Sequence, residues 1–345
     1  MVNVTDCRRR TALKALGAGA LAGLAGCTGT DGDDISWRYT HEHTAEHNVG
    51  QAAEDFADRV EEETDGRLSI EVYPSSELGG IEEQVEGVSS GSIDMGHYDY
   101  SAMASMYRPL YVFNTPFIYE DTDHLLEALD PRESPVIQDM QDEMIEETNM
   151  RLIGRYYYGR RMLTCDERIE HPDDLDGKAI RVVPNDMWIA MGRGMGAQPE
   201  SVEFSELPSA LATGVVSGQE NPLDTIIDNA LHENQSHVML TAHMRAPISI
   251  TVNEDSWQQL SDEDQETVYN LMDELGQETV DRGLEREEEL LVELQEDEGT
   301  EVVGSGELGT EEEFDRNDFR EPVQEEVEEE FDDLVSMMDQ IRDMA

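Results

Sequence analysis

Two arginines and one asparagine stand out in this chain as side chains that could bind an anion together. Arg161, Arg181 and Asn221 lie in the segments 159–161, 176–184 and 218–222. The whole chain has a formal net charge of -57, with 80 acidic and 23 basic residues. In so acidic a protein, a cation held inside a cleft is most easily explained by an anionic ligand.

Arginine suits the binding of a carboxylate because its planar guanidinium offers two parallel donors and keeps its charge. Arg181 is flanked by Ile180, Val182 and Val183, which predicts a buried strand, where an unpaired cation is costly. Local sequence alone leaves two interpretations open for Arg181: a ligand contact, or a structural ion pair with one of the many acids. Arg160 and Arg161 are adjacent, so on a strand only one of them can face a cleft.

Asn221 precedes Pro222, which favours an extended backbone and fixes the direction of the amide, although a simple turn asparagine has the same sequence. Four aromatic residues are candidate apolar walls for a ligand, and each of them could equally belong to the core: Trp188, Phe204, Tyr98 and Tyr100. Asp99 is a candidate polar contact to the far end of a ligand. Cys165 has no histidine nearby in the sequence and is expected to serve packing.

A second constellation has metal-site spacing. The segment His41–His47 contains His43-x-x-Glu46-His47, which on a helix would place two histidines on one face and a glutamate able to activate water. The alternative hypothesis is therefore a zinc-dependent hydrolase using His43, Glu46 and His47. The segment lies at the very start of a predicted helix and has no clear third ligand, so a polar loop or adventitious metal binding is the competing interpretation.

The elements that position these residues follow from hydrophobic periodicity. A βαβαβ pattern is predicted at the start, and it indicates an α/β fold with a parallel sheet covered by helices. Its parts are strand 36–40, helix 49–64 (Ala52, Ala53, Phe56 and Val60 on one face), strand 68–72, a helix opening at 79–80, and strand 92–96.

A second unit of the same style is predicted from Gly159 onwards. It comprises strand 179–183 and helices 188–193 and 206–213, and strand 248–252 then returns to the first sheet. A long helical segment is predicted from 255 towards 298. The glutamate-rich end, 311–345, carries an apolar stripe at helical spacing and is predicted to pack as a closing helix rather than to form a solvated tail.

The first 27 residues are expected to be an export signal rather than part of the fold. Arg9 and Arg10 have the twin-arginine pattern, and the apolar run that follows is shorter than the roughly 20 residues that span a bilayer. The run ends in Leu24-Ala25-Gly26-Cys27, which resembles a lipobox and predicts a lipid on Cys27; an ordinary signal with a chance cysteine is the alternative. Residues 28–34 are predicted to be a polar tether.

The excess of acid is typical of proteins from organisms that live in near-saturated salt, where charge repulsion is screened. Only Lys14 and Lys178 are lysine. In ordinary buffer the same charge should destabilise the compact state. Nucleic acid and anionic membrane surfaces are poor partners for such a field.

An ordered set of segments resembles the solute-binding proteins of TRAP transporters (tripartite ATP-independent periplasmic, DctP type). Any one segment is weak evidence, but they occur in order across nearly the whole chain after residue 27: 64–68, 72–79, 91–94, 112–117, 173–178 leading to Arg181, 195–199 and 210–222. The resemblance implies two α/β lobes that close on a ligand, joined by crossing strands and a long hinge-spanning helix. The expected division is 35–158 plus 247–286 for lobe I and 159–246 plus 287–345 for lobe II.

The resemblance also implies roles for individual residues. Arg181 falls where the family arginine pairs with the ligand carboxylate, Arg161 matches a second arginine of the site, and Asn221 matches an asparagine that hydrogen-bonds the same group. Phe204 falls at an apolar wall position, and Arg160 is then left for the surface. Two positions depart from the family pattern, Ser217 (where aspartate is common) and Pro208 (where an aromatic residue is common), and they leave the identity of the ligand open.

The function implied is that of an exported, lipid-anchored receptor that captures a small organic acid and delivers it to a membrane permease. The chain is expected to be a binding protein rather than an enzyme and to need no cofactor, because the permease would use an ion gradient.

Overall fold

The computed structural model describes residues 34–296, 299–304, 310–311 and 314–345, so the predicted signal with Cys27, and the tether up to residue 33, lie outside the described residues. Residues 34–345 form one compact unit. Its strands are β1 (Ile35–Thr40), β2 (Leu68–Tyr73), β3 (Met95–Tyr98), β4 (Met150–Cys165), β5 (Ala179–Val182), β6 (Gln198–Ser201), β7 (Gly218–Pro222), β8 (His237–Asn253), β9 (Glu301–Val303), β10 (Thr310–Glu311) and β11 (Phe314–Asp315).

The α-helices alternate with these strands in the first two thirds of the chain and dominate the last third. They are α1 (Asn48–Glu63), α2 (Ile81–Ser90), α3 (Thr122–Ala128), α4 (Pro135–Thr148), α5 (Asp186–Gly194), α6 (Leu207–Ala212), α7 (Leu223–Asp228), α8 (Glu254–Trp257), α9 (Asp262–Glu296), α10 (Asn317–Glu330) and α11 (Val335–Arg342). Among the described residues, no helix is long and apolar enough to cross a membrane.

The predicted βαβαβ unit is confirmed. Strand β1 pairs in parallel with β2 on one side and with β3 on the other. The predicted apolar face of α1 is buried against this unit at Ala52, Ala53, Phe56 and Val60. The third strand begins three residues later than predicted, at Met95, because Ile93 packs under Gly87 of α2 before the chain enters the sheet.

One mixed sheet connects this unit to the second half of the chain. Its strand order is β2-β1-β3-β8-β4-β7-β5-β6, and β9 pairs in parallel with the first residues of β8. The mixed α/β fold class is therefore as predicted. Strands β4 and β8 stand at the centre of the order and run antiparallel to each other, so they carry the chain from one half of the sheet to the other.

These two crossing strands are longer than the sequence indicated. The second unit was predicted to begin at Gly159, but β4 is one strand of 16 residues; likewise β8 has 17 residues where only 248–252 was predicted. Their pairing shifts register at three places, one of them between Tyr157 and Gly159. Because both strands are buried over most of their length, their hydrophobic pattern lacks the alternation that marks a half-exposed strand.

The long helical segment after β8 is split into α8 and α9, with a short break at residues 258–261. The glutamate-rich end is also split, since α10 ends at Glu330 and α11 begins at Val335. Every member of its predicted apolar stripe is buried: Phe314, Phe319, Val323, Val327, Phe331, Leu334 and Met338. The packed closing element is thus confirmed as two helices rather than one.

Candidate ligand-binding site

A cavity of about 780 Å³ lies between the two halves of the sheet. One wall comes from the first turns of α2 and from residues 99–106, and the other from residues 183–186, Ser201 and Glu203, which follow β5 and end β6. Pockets for small molecules commonly have volumes of roughly 300–1,000 Å³. The carboxyl ends of parallel strands are the usual position of such sites in open α/β sheets, and β5 and β6 end here.

Arg181 lies next to this cavity and is only 2% exposed. Its Nε donates a hydrogen bond of 2.8 Å to the carbonyl oxygen of Val202, which fixes the guanidinium beside the cavity residues Ser201 and Glu203. No described carboxylate forms an ion pair with it; Glu220, Glu203 and Glu42 act on it only at longer range. Burial lowers the pKa of Arg181 to about 10, so the side chain is a desolvated cation that remains charged at neutral pH.

Arg161 is equally buried but is already paired. Its Nε and Nη2 donate to the two carboxylate oxygens of Glu220, and Nη2 also donates to the Glu220 carbonyl oxygen at 3.0 Å. Burial alone lowers the pKa of Arg161, but the Glu220 carboxylate outweighs burial and raises it. For Glu220, burial raises the pKa, yet Arg161 and a hydrogen bond with His243 together bring it down to about 2. Arg161 and Glu220 thus form a structural ion pair. Arg161 Nη1 has no hydrogen-bond partner among the described residues.

Asn221 is held from two sides. Its Oδ1 accepts a hydrogen bond of 2.9 Å from Arg161 Nη2, and its Nδ2 donates to Gln219 Oε1 at 2.6 Å. Strand β7 places Asn221 opposite Met162 of β4, so the amide and the Arg161 guanidinium come from neighbouring strands. One hydrogen of the Asn221 amide nitrogen remains available to a ligand.

The aromatic candidates divide into two groups. Phe204 is 37% exposed, and the Arg181 guanidinium carbon lies 6.0 Å from its ring centroid, so it can act as a wall beside the cation. Trp188 is fully buried with its ring 5.6 Å from the Arg161 guanidinium carbon, where it supports that arginine. Tyr98 and Tyr100 are buried in the core and do not line the cavity.

Two acids face the arginines from the first half of the chain. Asp99 lines the cavity, and burial raises its pKa to about 6, while Arg161 opposes the shift. Burial raises the pKa of Glu42 to about 7; the nearby Asp99 adds to this, whereas Arg181 and Arg161 lower it. The site thus pairs cations from β4 and β5 with partly exposed acids from the loops after β1 and β3.

Sequence reasoning missed Glu220 and Glu42 as parts of this site. Glu220 stands beside Asn221 in the segment that carries the resemblance, but one glutamate among 80 acids gives no signal of its own. Glu42 lies one residue before the His43-x-x-Glu46-His47 spacing, and nothing in the local sequence marks it as part of an anion site. Arg160 was expected on the surface; instead its side chain is mostly buried in an ion pair with Glu287 of α9.

The geometry does not support the hydrolase hypothesis. Residues 41–47 form turns and bends, and α1 begins only at Asn48, so His43 and His47 do not share a helical face. His47 caps α1 by accepting a hydrogen bond from the Val49 backbone nitrogen, and Glu46 is exposed. Cys165 is buried, and burial raises the pKa of its thiol to about 11, which agrees with the predicted packing role.

Fold and site together define a class of protein: a two-lobed ligand receptor with a cleft between its lobes. Residues 39–333 match the family DctP, described as bacterial extracellular solute-binding protein, family 7. The chain belongs to this family, whose members are substrate-binding receptors rather than enzymes. It is a solute receptor of the TRAP type.

Several characterised proteins are similar to this chain. The sialic acid-binding periplasmic protein SiaP of Vibrio cholerae is 29% identical over 225 residues, covering 65% of this chain and 69% of SiaP. The ectoine-binding periplasmic protein TeaA of Halomonas elongata is 29% identical over 255 residues, covering 73% and 74%. A TRAP periplasmic solute-binding protein of Roseobacter denitrificans with bound 3-deoxy-D-manno-oct-2-ulosonic acid superimposes with a TM-score of 0.79 at 26% identity, over 91% of this chain and all of the other.

Proposed function

We propose that this receptor binds a small organic acid whose carboxylate pairs with Arg181. The observation that carries the proposal is the state of that side chain: a buried cation beside a cavity, with one backbone acceptor and no described carboxylate in contact. A desolvated charge of this kind is unfavourable unless it is paired. A bound carboxylate supplies both the missing charge and the missing acceptors.

Arg161 and Asn221 have a different part in this proposal. Because Glu220 already neutralises Arg161, that arginine contributes orientation rather than net charge, with Nη1 left for a ligand oxygen. Asn221 offers its remaining amide hydrogen to the same oxygen, since Arg161 Nη2 already holds its Oδ1. Phe204 covers the Arg181 side of the carboxylate, Trp188 supports Arg161 from the core, and Asp99 meets the far end of the ligand.

The ligand class we favour is a monocarboxylate that carries several hydroxyl groups. Several acidic side chains line the cavity, among them Glu82, Glu83, Glu86 and Asp99 from the first half of the chain, so a second carboxylate there would meet repulsion, whereas hydroxyls can donate to these acids. Sialic acid and 3-deoxy-D-manno-oct-2-ulosonic acid, the ligands named for two similar proteins, are sugar acids of this kind.

We further propose that the lobes are residues 35–158 with 247–286 and residues 159–246 with 287–345, and that they close around the ligand. The chain would be exported by the twin-arginine signal of residues 1–27, anchored to the outer face of the cytoplasmic membrane through a lipid on Cys27, and would deliver its ligand to the permease subunits of a TRAP transporter. The acidic composition supports a role in high salt.

The test is a thermal-shift screen of organic acids in multimolar KCl with the wild-type chain and Arg181→Met, which keeps an apolar stem but removes the donors. Sugar acids should raise the melting temperature of the wild type more than dicarboxylates do. Each hydrogen bond to a charged group contributes roughly 1.5–3 kcal/mol, so the loss of two should weaken binding by about 100-fold or more.

Arg193→Met is the matched control, because Arg193 is an exposed arginine whose ion pairs are long, at 3.7–4.0 Å. Ligand-free Arg181→Met should be at least as stable as the wild type, since it removes an unpaired buried charge. Undiminished ligand shifts in Arg181→Met would remove the assigned role of this arginine, and a loss of stability without ligand would indicate a structural ion pair.

A further inference from the structure

Four buried histidines from two chain segments lie close together. His41, His43, His47 and His97 are each at most 8% exposed. The rings of His41 and His97 stack with their centroids 4.3 Å apart, and the centroids of His43 and His97 are 5.2 Å apart. One ligand atom from each of His41, His43 and His97 can be chosen so that all three lie within 4.8 Å of one another.

The sheet brings these residues together. Strands β1 and β3 are parallel neighbours with Thr40 opposite Gly96, so the next residues, His41 just after β1 and His97 within β3, lie side by side. His43 follows two residues after His41 and returns to the same face. The cluster therefore stands at the carboxyl end of the first sheet unit, on a part of the backbone that the sheet holds in place.

The hydrogen bonds of the cluster leave ring nitrogens free. Tyr39 Oη is 2.8 Å from His97 Nδ1, and His43 Nδ1 is 3.1 Å from His97 Nε2. Neither ring nitrogen of His41 has a partner among the described residues, nor does Nε2 of His43. Buried polar atoms are normally paired, so the unpaired nitrogens of this cluster indicate that a partner is missing.

Among the residues that the structure describes, no carboxylate forms an ion pair with a histidine of this cluster. The described histidines that do pair with a carboxylate are His171, His237 and His243. A buried imidazole with no charged partner is most stable in its neutral form, because burial disfavours an uncompensated charge. Neutral imidazole is the form that binds metal ions.

We propose that His41, His43 and His97 form a binding site for one divalent transition metal ion, with zinc as the expected species. Two imidazole nitrogens on one tetrahedral zinc are about 3.3 Å apart, given Zn–N bonds of about 2.0–2.1 Å, and the His43–His97 nitrogens already lie at 3.1 Å. His97 binds through Nε2, because Tyr39 engages Nδ1 and fixes the ring, as outer partners of metal ligands commonly do. The His41 ring, which is stacked on His97, must turn to bring one of its nitrogens to the same ion.

This site differs from the His43-x-x-Glu46-His47 spacing and has no hydrolytic role. His47 is engaged as the cap of α1 and Glu46 points to solvent, whereas His97 comes from a distant segment. Each proposed metal ligand is close in sequence to an acid that faces the organic-acid site. Glu42 lies between His41 and His43, and Asp99 follows His97 by two residues. The metal would therefore fix the two loops that face the arginines.

The first test uses the full chain, treated with a chelator and dialysed into multimolar KCl. Zinc is titrated by calorimetry in a large excess of Mg²⁺, which occupies surface carboxylates but is a poor match for imidazole. We expect one saturable zinc site per chain and a higher melting temperature with zinc. Cobalt in place of zinc should give the visible absorption of a four-coordinate nitrogen site.

The second test uses variants. Tyr39→Phe removes the outer hydrogen bond to His97 while keeping every imidazole, and it should weaken zinc binding by about 10–100-fold. His41→Gln and His97→Gln remove a ligand and should weaken it further, with loss of the cobalt spectrum. His171→Gln, which removes an exposed histidine outside the cluster, should leave both unchanged.

Two results would overturn the proposal: no saturable zinc site in the wild type, or equal zinc affinity in Tyr39→Phe, His41→Gln and the wild type. Should His97→Gln fail to fold, Tyr39→Phe still decides, because it retains every ring. Failure of the metal site would leave the organic acid proposal intact, since Arg181 and the cavity are separate from the cluster.

Discussion

Arg161 and Arg181 differ in how their buried charges are compensated. Both are almost completely buried, but Glu220 contacts only Arg161. Breaking a buried ion pair by removing one partner typically costs about 3–5 kcal/mol, because the remaining charge is left uncompensated. Glu220 is therefore the residue on which the rigidity of the carboxylate site depends.

Glu220→Gln should destabilise the chain by about 3–5 kcal/mol near pH 7, because it leaves the Arg161 cation without its anion. The folded-state pKa of Glu220 is depressed to about 2 from 4.5, so its contribution is fully present above about pH 4.5 and is lost as the pH falls towards 2. The stability difference between wild type and variant should thus shrink over that interval. Denaturant unfolding at a series of pH values in multimolar KCl measures it.

Glu146→Gln, at an exposed glutamate of α4, is the control and should change stability little at any pH. A stability difference between the wild type and Glu220→Gln that stays constant from pH 7 to pH 2 would contradict the ion-pair role of Glu220. It would mean that the charge of the carboxylate is not what stabilises the pair.

At the residue scale, the sequence predicted the cations better than their partners. Arg161, Arg181 and Asn221 could be singled out because positive side chains are rare in this chain and lie in segments that resemble a family. Glu220 could not be singled out from the sequence, because acids are abundant and nothing in the local pattern separates a buried glutamate from a solvated one. The unpaired state of Arg181 is a property of three-dimensional packing alone.

The junction between β4 and α9 determines how the two halves of the fold are held together. Glu287 of α9 is 3% exposed and accepts hydrogen bonds from the Arg160 backbone nitrogen at 2.7 Å and from Tyr157 Oη at 2.9 Å, besides its ion pair with the Arg160 side chain. These contacts surround Gly159, where φ is 138° and the register of β4 with β8 shifts. A single carboxylate thus joins the helix to the irregular point of the crossing strand.

Glu287→Ala should lower the free energy of unfolding by about 3–5 kcal/mol, because it leaves the mostly buried Arg160 cation and a strand amide without their acceptor. Chemical denaturation in multimolar KCl measures the loss. Glu288→Ala, one residue along on the exposed side of α9, should change stability by less than about 0.5 kcal/mol. Equal effects of the two variants would show that the junction is dispensable.

Elements with one exposed face were predicted well, and fully buried ones were not. The face of α1, strands β1 and β2, and the apolar stripe of the closing helices all show clear periodicity. The crossing strands β4 and β8 are buried on both sides and interrupted by Gly154 and Gly159, so only fragments of them could be recognised. Breaks such as the one at residues 258–261 depend on packing against neighbouring elements.

The charge of the whole molecule sets the conditions in which it folds. With a formal net charge of -57, mutual repulsion opposes the compact state wherever screening is weak. The Debye length is about 3 Å at 1 M salt and about 10 Å at 0.1 M. Ion pairs such as Arg67 with Asp264 satisfy single acids, but the cations are too few to neutralise the rest.

The melting temperature should therefore fall steadily as KCl is reduced from several molar to 0.1 M, measured by thermal unfolding followed by circular dichroism. Sucrose at matched osmolality serves as the control; it should restore less stability than the salt it replaces, since it does not screen charge. A melting temperature independent of KCl would contradict the interpretation of the composition.

At this scale the overall class could be derived from the sequence, because the βαβαβ pattern, the ordered segments and the closing helices agree. The continuous sheet could not be predicted from the sequence, since the pairing of β3 with β8 and of β4 with β7 joins residues far apart in sequence. The cavity depends on that pairing, because it brings together loops from the two ends of the strand order.

The irregularity at Gly159 lies only two residues from Arg161, about 7 Å along an extended strand. If the lobes pivot at this glycine, the Arg161 guanidinium, which we propose orients the ligand, lies on a very short lever arm. Small rotations at Gly159 would then displace the arginine by less than the width of its side chain. A bound solute could therefore favour lobe closure directly, without coupling through the interior of either lobe.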